Sequence, residues 1–145
     1  MYHHILLATD LGDENRYVED QTAIMQKLTN AKLSVIHIIE SLPAVYAVGE
    51  IGMSDNYRNT SENLAENARK SLQPIRHRLG ISPSNLIIGN GKVSVGILQY
   101  AEENNVDLII TGSHGRHGLQ LLLGSTANAI LHGTKCDVLA IRLKE

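Results

Sequence analysis

Four glycines, two serines and two histidines crowd into Thr111-Gly112-Ser113-His114-Gly115-Arg116-His117-Gly118-Leu119 and the nearby Leu123-Gly124-Ser125-Thr126. Glycine lets a backbone approach a ligand closely. The free N–H groups and positive dipole end of a helix start attract an anion. A glycine-rich stretch that leaves a strand and opens a helix is therefore a cradle for phosphate. The flanking sequence supplies both elements. Val106-Asp107-Leu108-Ile109-Ile110 is short and apolar enough for a buried strand, and a helix-like segment runs from about Ser125 to His132 before Gly133. His114 and His117 stand three apart, but no converging third ligand or second shell is legible, so no metal site is expected from them.

Such a cradle needs a sheet to carry it. Five apolar runs alternate with helix-like segments: Tyr2 to Ala8, Leu33 to Ile39, Asn85 to Ile88, Val106 to Thr111 and Asp137 to Ile141. Each is nearly continuous in its apolar character, as in parallel strands covered by helices on both faces. The fold class is α/β, a single-domain three-layer sandwich. A first helix is expected between Asp13 and Asn30, with Tyr17, Ile24 and Leu28 facing inward. A second follows Leu64, Ala68, Leu72, Ile75 and Leu79, capped by Thr60 or Ser61, kinked at Pro74 and ended by Gly80. The third runs from about Ser94 to Asn104 with Ile97, Leu98 and Ala101 inward. Ser41 to Asn59 lacks a clean period and carries Pro43, Gly49, Gly52 and Asn56, so it reads as a long loop. Gly89-Asn90-Gly91-Lys92 reads as the turn after the third strand, since no Gly-Lys-Ser/Thr phosphate loop follows it.

Composition excludes several classes. The net charge of −2 leaves no basic stripe for nucleic acid or an anionic membrane. The single cysteine, Cys136, precludes an internal disulfide and suits a reducing compartment as a half-buried small residue. No apolar run reaches the length of a membrane span, and the opening run is too short for a signal peptide, so the expected location is the cytoplasm. Phe and Trp are absent, which makes any base-binding pocket aliphatic.

The chain resembles the universal stress protein family over essentially its whole length. The resemblance rests on His4-Ile5-Leu6-Leu7-Ala8-Thr9-Asp10, Val35-Ile36-His37-Ile38-Ile39-Glu40, Asp107-Leu108-Ile109-Ile110-Thr111-Gly112-Ser113-His114-Gly115 and Cys136-Asp137-Val138-Leu139-Ala140-Ile141-Arg142. It implies a five-stranded parallel sheet in the order 3-2-1-4-5, Rossmann-like and akin to the adenine nucleotide α-hydrolase fold. It also implies binding of ATP, or of ADP or AMP, as a regulatory rather than catalytic activity in the stress response, with Mg²⁺ reached only through the bound phosphates. The implied contacts are Ala8, Thr9, Asp10 and Ile38 on the base and ribose side. On the phosphate side they are Thr111, Gly112, Ser113, His114, Gly115, Arg116, Gly124, Ser125 and Thr126. A homodimer through the last strand, Val138 to Leu143, is implied as well.

Individual residues carry two readings each. Asp10 reads base or ribose, or it closes an Asx turn or caps the first helix. Ile38 offers its backbone to the base while its side chain is core. Ser125 meets a phosphate or its Mg²⁺, and equally caps the fourth helix. Arg116 pairs with phosphate oxygens or is a solvated loop residue, and His114 lends a backbone N–H or closes the pocket wall. The family's nucleotide motif has nine residues between its second and third glycines, whereas Arg116 to Leu123 make eight here. The shortfall lies between Leu119 and the run Leu121 to Leu123. A second function class follows from it: a dimeric interaction protein that does not bind nucleotide. Hydrolases or flavoproteins of related folds fit less well, for want of a pyrophosphatase loop or a second domain.

Overall fold

The structure is a computed structural model that describes residues 1–40, 51–114 and 123–143, with residues 51–59 as helical backbone. Strands β1 (His4–Ala8), β2 (Lys32–Glu40), β3 (Leu86–Gly91), β4 (Leu108–Gly112) and β5 (Asp137–Ile141) form one sheet in the order β3-β2-β1-β4-β5. Every pairing is parallel. Helices α1 (Arg16–Thr29), α2 (Ile51–Leu79), α3 (Val93–Glu103) and α4 (Ser125–Gly133) connect them.

Strand side chains alternate between faces, so a run without polar interruption must be buried twice. Ile5, Leu7, Leu33, Val35, Leu108 and Ile110 pack with Val18 of α1 and with Leu72, Ile75 and Leu79 of α2. Leu6, Ala8, Ile36, Ile38 and Ile109 pack on the other face with Ile97 and Ala101 of α3 and Ile130 of α4. The three-layer expectation and the strand order both hold. His3 and His4 part as strand neighbours should: His4 is buried, while the exposed His3 ring meets Asp107.

The structure corrects four expectations about elements. α1 turns Ile24 and Leu28 outward, 51% and 75% exposed, and buries Val18, Glu19 and Thr22 instead. Tyr17 does pack against the core. The polar inward residues are satisfied locally, since the Thr22 hydroxyl donates to the Val18 carbonyl at 2.8 Å and Glu19 pairs with Arg78 of α2. α2 begins at Ile51, so Thr60 and Ser61 cap nothing and residues 51–59 are helix, not loop; residues 41–50 lie outside the described residues. Its buried stripe starts at Ala68, and Leu64 stays 36% exposed. The helix continues through Pro74 and ends at Gly80, whose φ of 62° favours glycine. Finally, Gly89 to Gly91 belong to β3, held there by pairing with Ile38 to Glu40, and the turn shrinks to Lys92.

Candidate functional site

Strand order reverses between β1 and β4, the neighbours whose crossover helices lie on opposite faces. A crevice must open there, outside the strand carboxyl ends. A cavity of about 430 Å³ occupies it. β1 contributes Ala8 and the following Thr9 and Asp10, β2 contributes His37 to Glu40, and β4 contributes Thr111 and Gly112 with the following Ser113 and His114. Val93 and Ile97 of α3 and the start of α4, Gly124 to Ala127, complete the wall. Every expected contact among the described residues therefore converges on one cavity. Gly115 and Arg116, together with the shortened part of the motif, lie outside the described residues.

The β1 side is held by a lattice of short bonds. Asp10 Oδ1 accepts from the Gly12 N–H at 2.9 Å and from the Asn15 side-chain amide. Asp10 thus closes an Asx turn, and the cap of the 3-10 turn that leads into α1 is Gly12, not Asp10. The Thr9 hydroxyl accepts from the Leu11 N–H at 3.1 Å. The Thr9 N–H donates to the Ile36 carbonyl at 3.0 Å, and His37 Nδ1–H donates to the Thr9 carbonyl at 2.8 Å.

That arrangement leaves β2 with an open edge. β1 last pairs at Ala8 with Ile36, whereas β3 follows β2 to Glu40. Backbone groups of successive strand residues point to alternate sides. Since the Ile36 carbonyl faces β1, the N–H and C=O of Ile38 face the same way, past the end of β1 and into the crevice. Backbone polar groups do not stay unpaired in dry surroundings, so Ile38 offers one donor and one acceptor to whatever enters.

The opposite side is a helix start. The Ser113 N–H donates to the Ile141 carbonyl at 2.8 Å, and the Ser113 carbonyl accepts from Gly124 N–H at 2.7 Å, which brings α4 back beside the end of β4. Gly124, not Ser125, is the N-cap, and no side chain caps the helix. The first intrahelical bond runs from the Asn128 N–H to the Gly124 carbonyl at 2.9 Å. The N–H groups of Ser125, Thr126 and Ala127 are the orphans of this first turn, and all three residues line the cavity. Gly112 lines the same cavity, and a methyl group there would meet Leu143, Asn15 and the His114 carbonyl at 3.4 to 3.6 Å, ordinary contact. Gly124 has φ of −57° and ψ of 154°, open to any residue. Backbone conformation therefore demands glycine at neither position. His114 Nδ1 and the Ser113 hydroxyl lie 2.7 Å apart, and His114 Nε2 is buried with no partner among the described residues.

Sequence reasoning missed Asn15, His37 and Glu40. Asn15 and His37 act through bonds to Asp10 and to the Thr9 carbonyl, and the latter spans 28 positions. The quoted strand Val35 to Glu40 contained two of the three without a role for them.

Comparison with known proteins agrees with this geometry. The family model described as Universal stress protein family matches residues 1–142. A universal stress protein A homolog from Coxiella burnetii is 41% identical over 144 residues, covering 99% of each chain. Among solved structures, hypothetical protein MJ0577 superposes with a TM-score of 0.82 at 26% identity, over 100% of this chain and 99% of that one. A universal stress protein in complex with cAMP superposes at 0.68, with 19% identity and 97% coverage of both chains.

Proposed function

This chain belongs to the universal stress protein family, and we propose that it is a cytoplasmic regulatory module of the stress response that binds an adenine nucleotide, ATP or its ADP and AMP relatives, and works as a homodimer. One observation carries the reading: the free backbone of Ile38 and the uncapped first turn of α4 open onto the same cavity from two sides. Its volume suits a small molecule. Adenine presents an amine donor beside a ring-nitrogen acceptor, the complement of the Ile38 C=O and N–H. Guanine presents a carbonyl and a ring N–H there and would meet them like to like. Ala8, Ile38, Val93 and Ile97 give the base an aliphatic slot. Phosphates reach the Ser125, Thr126 and Ala127 N–H groups, where the helix dipole favours negative charge. The Ser125 hydroxyl would be a group there able to share a phosphate-bound Mg²⁺. The relative solved with cAMP supports an adenine ligand.

Regulation suits the site better than catalysis. Asp10 Oδ1 is engaged by Gly12 and Asn15, and Glu40 stands on β2, two strands away from β4. Neither is posed as a base for water attacking a terminal phosphate. β5 lies at the sheet edge with its outer backbone unpaired among the described residues. Such an edge favours pairing with a second copy through residues Val138 to Leu143. The shortened glycine motif favours the second reading, a dimer without nucleotide. Heat-denaturing purified protein and chromatographing the supernatant decides between them. Near one adenine nucleotide per chain, lost in a folded Gly112→Val variant, supports the first. No released nucleotide and no thermal shift on adding ATP supports the second.

A further inference from the structure

Ile38 has a side chain as well as a backbone, and it occupies a notch made by two glycines. Gly89 pairs with it across β3, and Gly96 lies in the second turn of α3 above it. A Cβ at Gly89 would stand 2.7 Å from Ile38 Cδ1. A Cβ at Gly96 would stand 2.7 Å from Cδ1 and 3.0 Å from Cγ1. Real carbon pairs do not approach so closely, so both positions exclude any side chain while Ile38 stays where it is. Neither glycine has a positive φ, so backbone conformation does not explain them. In the middle of a strand and a helix glycine weakens the element. Their common effect is to let Ile38 lie back, 6% exposed, with β3 on one flank and α3 over it. The remaining open side is the cavity that Ile38 lines.

We infer that Gly89 and Gly96 are specificity-determining residues of this site: by taking the Ile38 side chain into the wall they set the width of a slot for a flat purine ring between Ile38 and the residues at the end of β1. The inference rests on the adenine-nucleotide reading and adds the residues that admit the base. They touch no ligand and act through Ile38, so they are positioning residues. A methyl at either place drives the Ile38 tip towards the cavity and narrows the slot, leaving the α4 end unaltered.

The test measures ATP and tripolyphosphate binding by calorimetry, with thermal unfolding of the unliganded proteins, for wild type, Gly96→Ala, Ile38→Val and the double variant. Gly96→Ala is expected to stay folded, alanine's helix preference offsetting part of the cost of displacing Ile38, yet to weaken ATP at least tenfold while leaving tripolyphosphate unchanged. Ile38→Val removes Cδ1, and in the double variant it is expected to restore ATP affinity to within threefold of wild type. Equal ATP affinity in wild type and Gly96→Ala overturns the slot and leaves the nucleotide reading standing. Loss of ATP that Ile38→Val does not rescue, or an equal loss of tripolyphosphate, also overturns it. If wild type binds no ATP, both readings fall together. Gly89→Ala, tested in the same series, approaches Ile38 from the strand and is expected to behave as Gly96→Ala does.

Discussion

His4 shows how one buried side chain ties stability to pH. Its Nδ1 lies 3.0 Å from the Asn104 carbonyl, which can only accept, so Nδ1 carries the proton and Nε2 accepts from the Ser34 hydroxyl at 2.8 Å. Burial pushes the His4 pKa below the ordinary 6.5. The Asn104 carbonyl and Asp107 pull the other way, and Lys32 adds to the lowering. The unfolded chain therefore takes up a proton below about pH 6.5 while folded His4 does not, and stability falls with pH until the folded group titrates too. Unfolding temperatures between pH 7 and 5 should drop in wild type and flatten in His4→Gln. Asp107 acts in a lower window. Burial pushes its carboxyl up, but the His4 and His3 backbone N–H groups and the His3 ring outweigh this and hold it below 3.8, so its contribution is lost only in stronger acid. A second residue-scale prediction concerns Glu19, buried and bonded to Arg78 Nε at 3.0 Å. Arg78→Ala leaves a carboxylate without its partner and should cost about 3 kcal/mol in denaturant unfolding. Glu19→Gln should cost distinctly less.

Elements were legible where their pattern was imposed by burial and illegible where polar pairing replaced it. The strands read correctly because helices cover both faces, so Ile5 to Ala8 and Leu108 to Ile110 admit no polar residue. α1 misled because its buried side carries Thr22 and Glu19, satisfied by a backbone carbonyl and by an arginine 59 positions away. Apolar Ile24 and Leu28 were left outside. Exchanging both for Lys or Glu should change stability by no more than about 1 kcal/mol, whereas Val18→Lys should unfold the protein; thermal melts distinguish the two. The early turns of α2 have no apolar period, and only propagation from the packed part explains a start at Ile51. The cavity-lining stretches Thr111 to His114 and Gly124 to Thr126 were legible because a glycine-rich junction after an apolar run has to lie at a strand's carboxyl end. His37 was not, since its bond to Thr9 exists only once β1 and β2 are paired. For β5, charge at the exposed Ala140 tests the edge: Ala140→Asp should shift a sedimenting dimer to monomer without changing the melt of the unliganded chain by more than a few degrees.

At the scale of the molecule, the sheet order does the positioning. β1 sits between β2 and β4, so one crevice receives the open edge of β2 from one neighbour and the start of α4 from the other. The Ile38 edge and the start of α4 lie more than 80 residues apart in sequence and share no element. They are joined through the ladder His4 to Ala8, whose core residues are essentially excluded from water, and through α3, whose Ile97 packs with Ile38 and with Ile130 of α4. A ligand that spans both ends therefore gains what separate fragments lose, because the second contact forms within an already bound molecule. Adenosine and tripolyphosphate should each raise the unfolding temperature little at millimolar concentration, and their mixture should match the sum. ATP at a hundred times its Kd should add about 2.7 kcal/mol, roughly 8 °C for a domain of this size. Gly112→Val should abolish the tripolyphosphate and ATP shifts while sparing that of adenosine. Equal shifts for ATP and tripolyphosphate would mean that the anion end alone binds and that the Ile38 edge reads nothing.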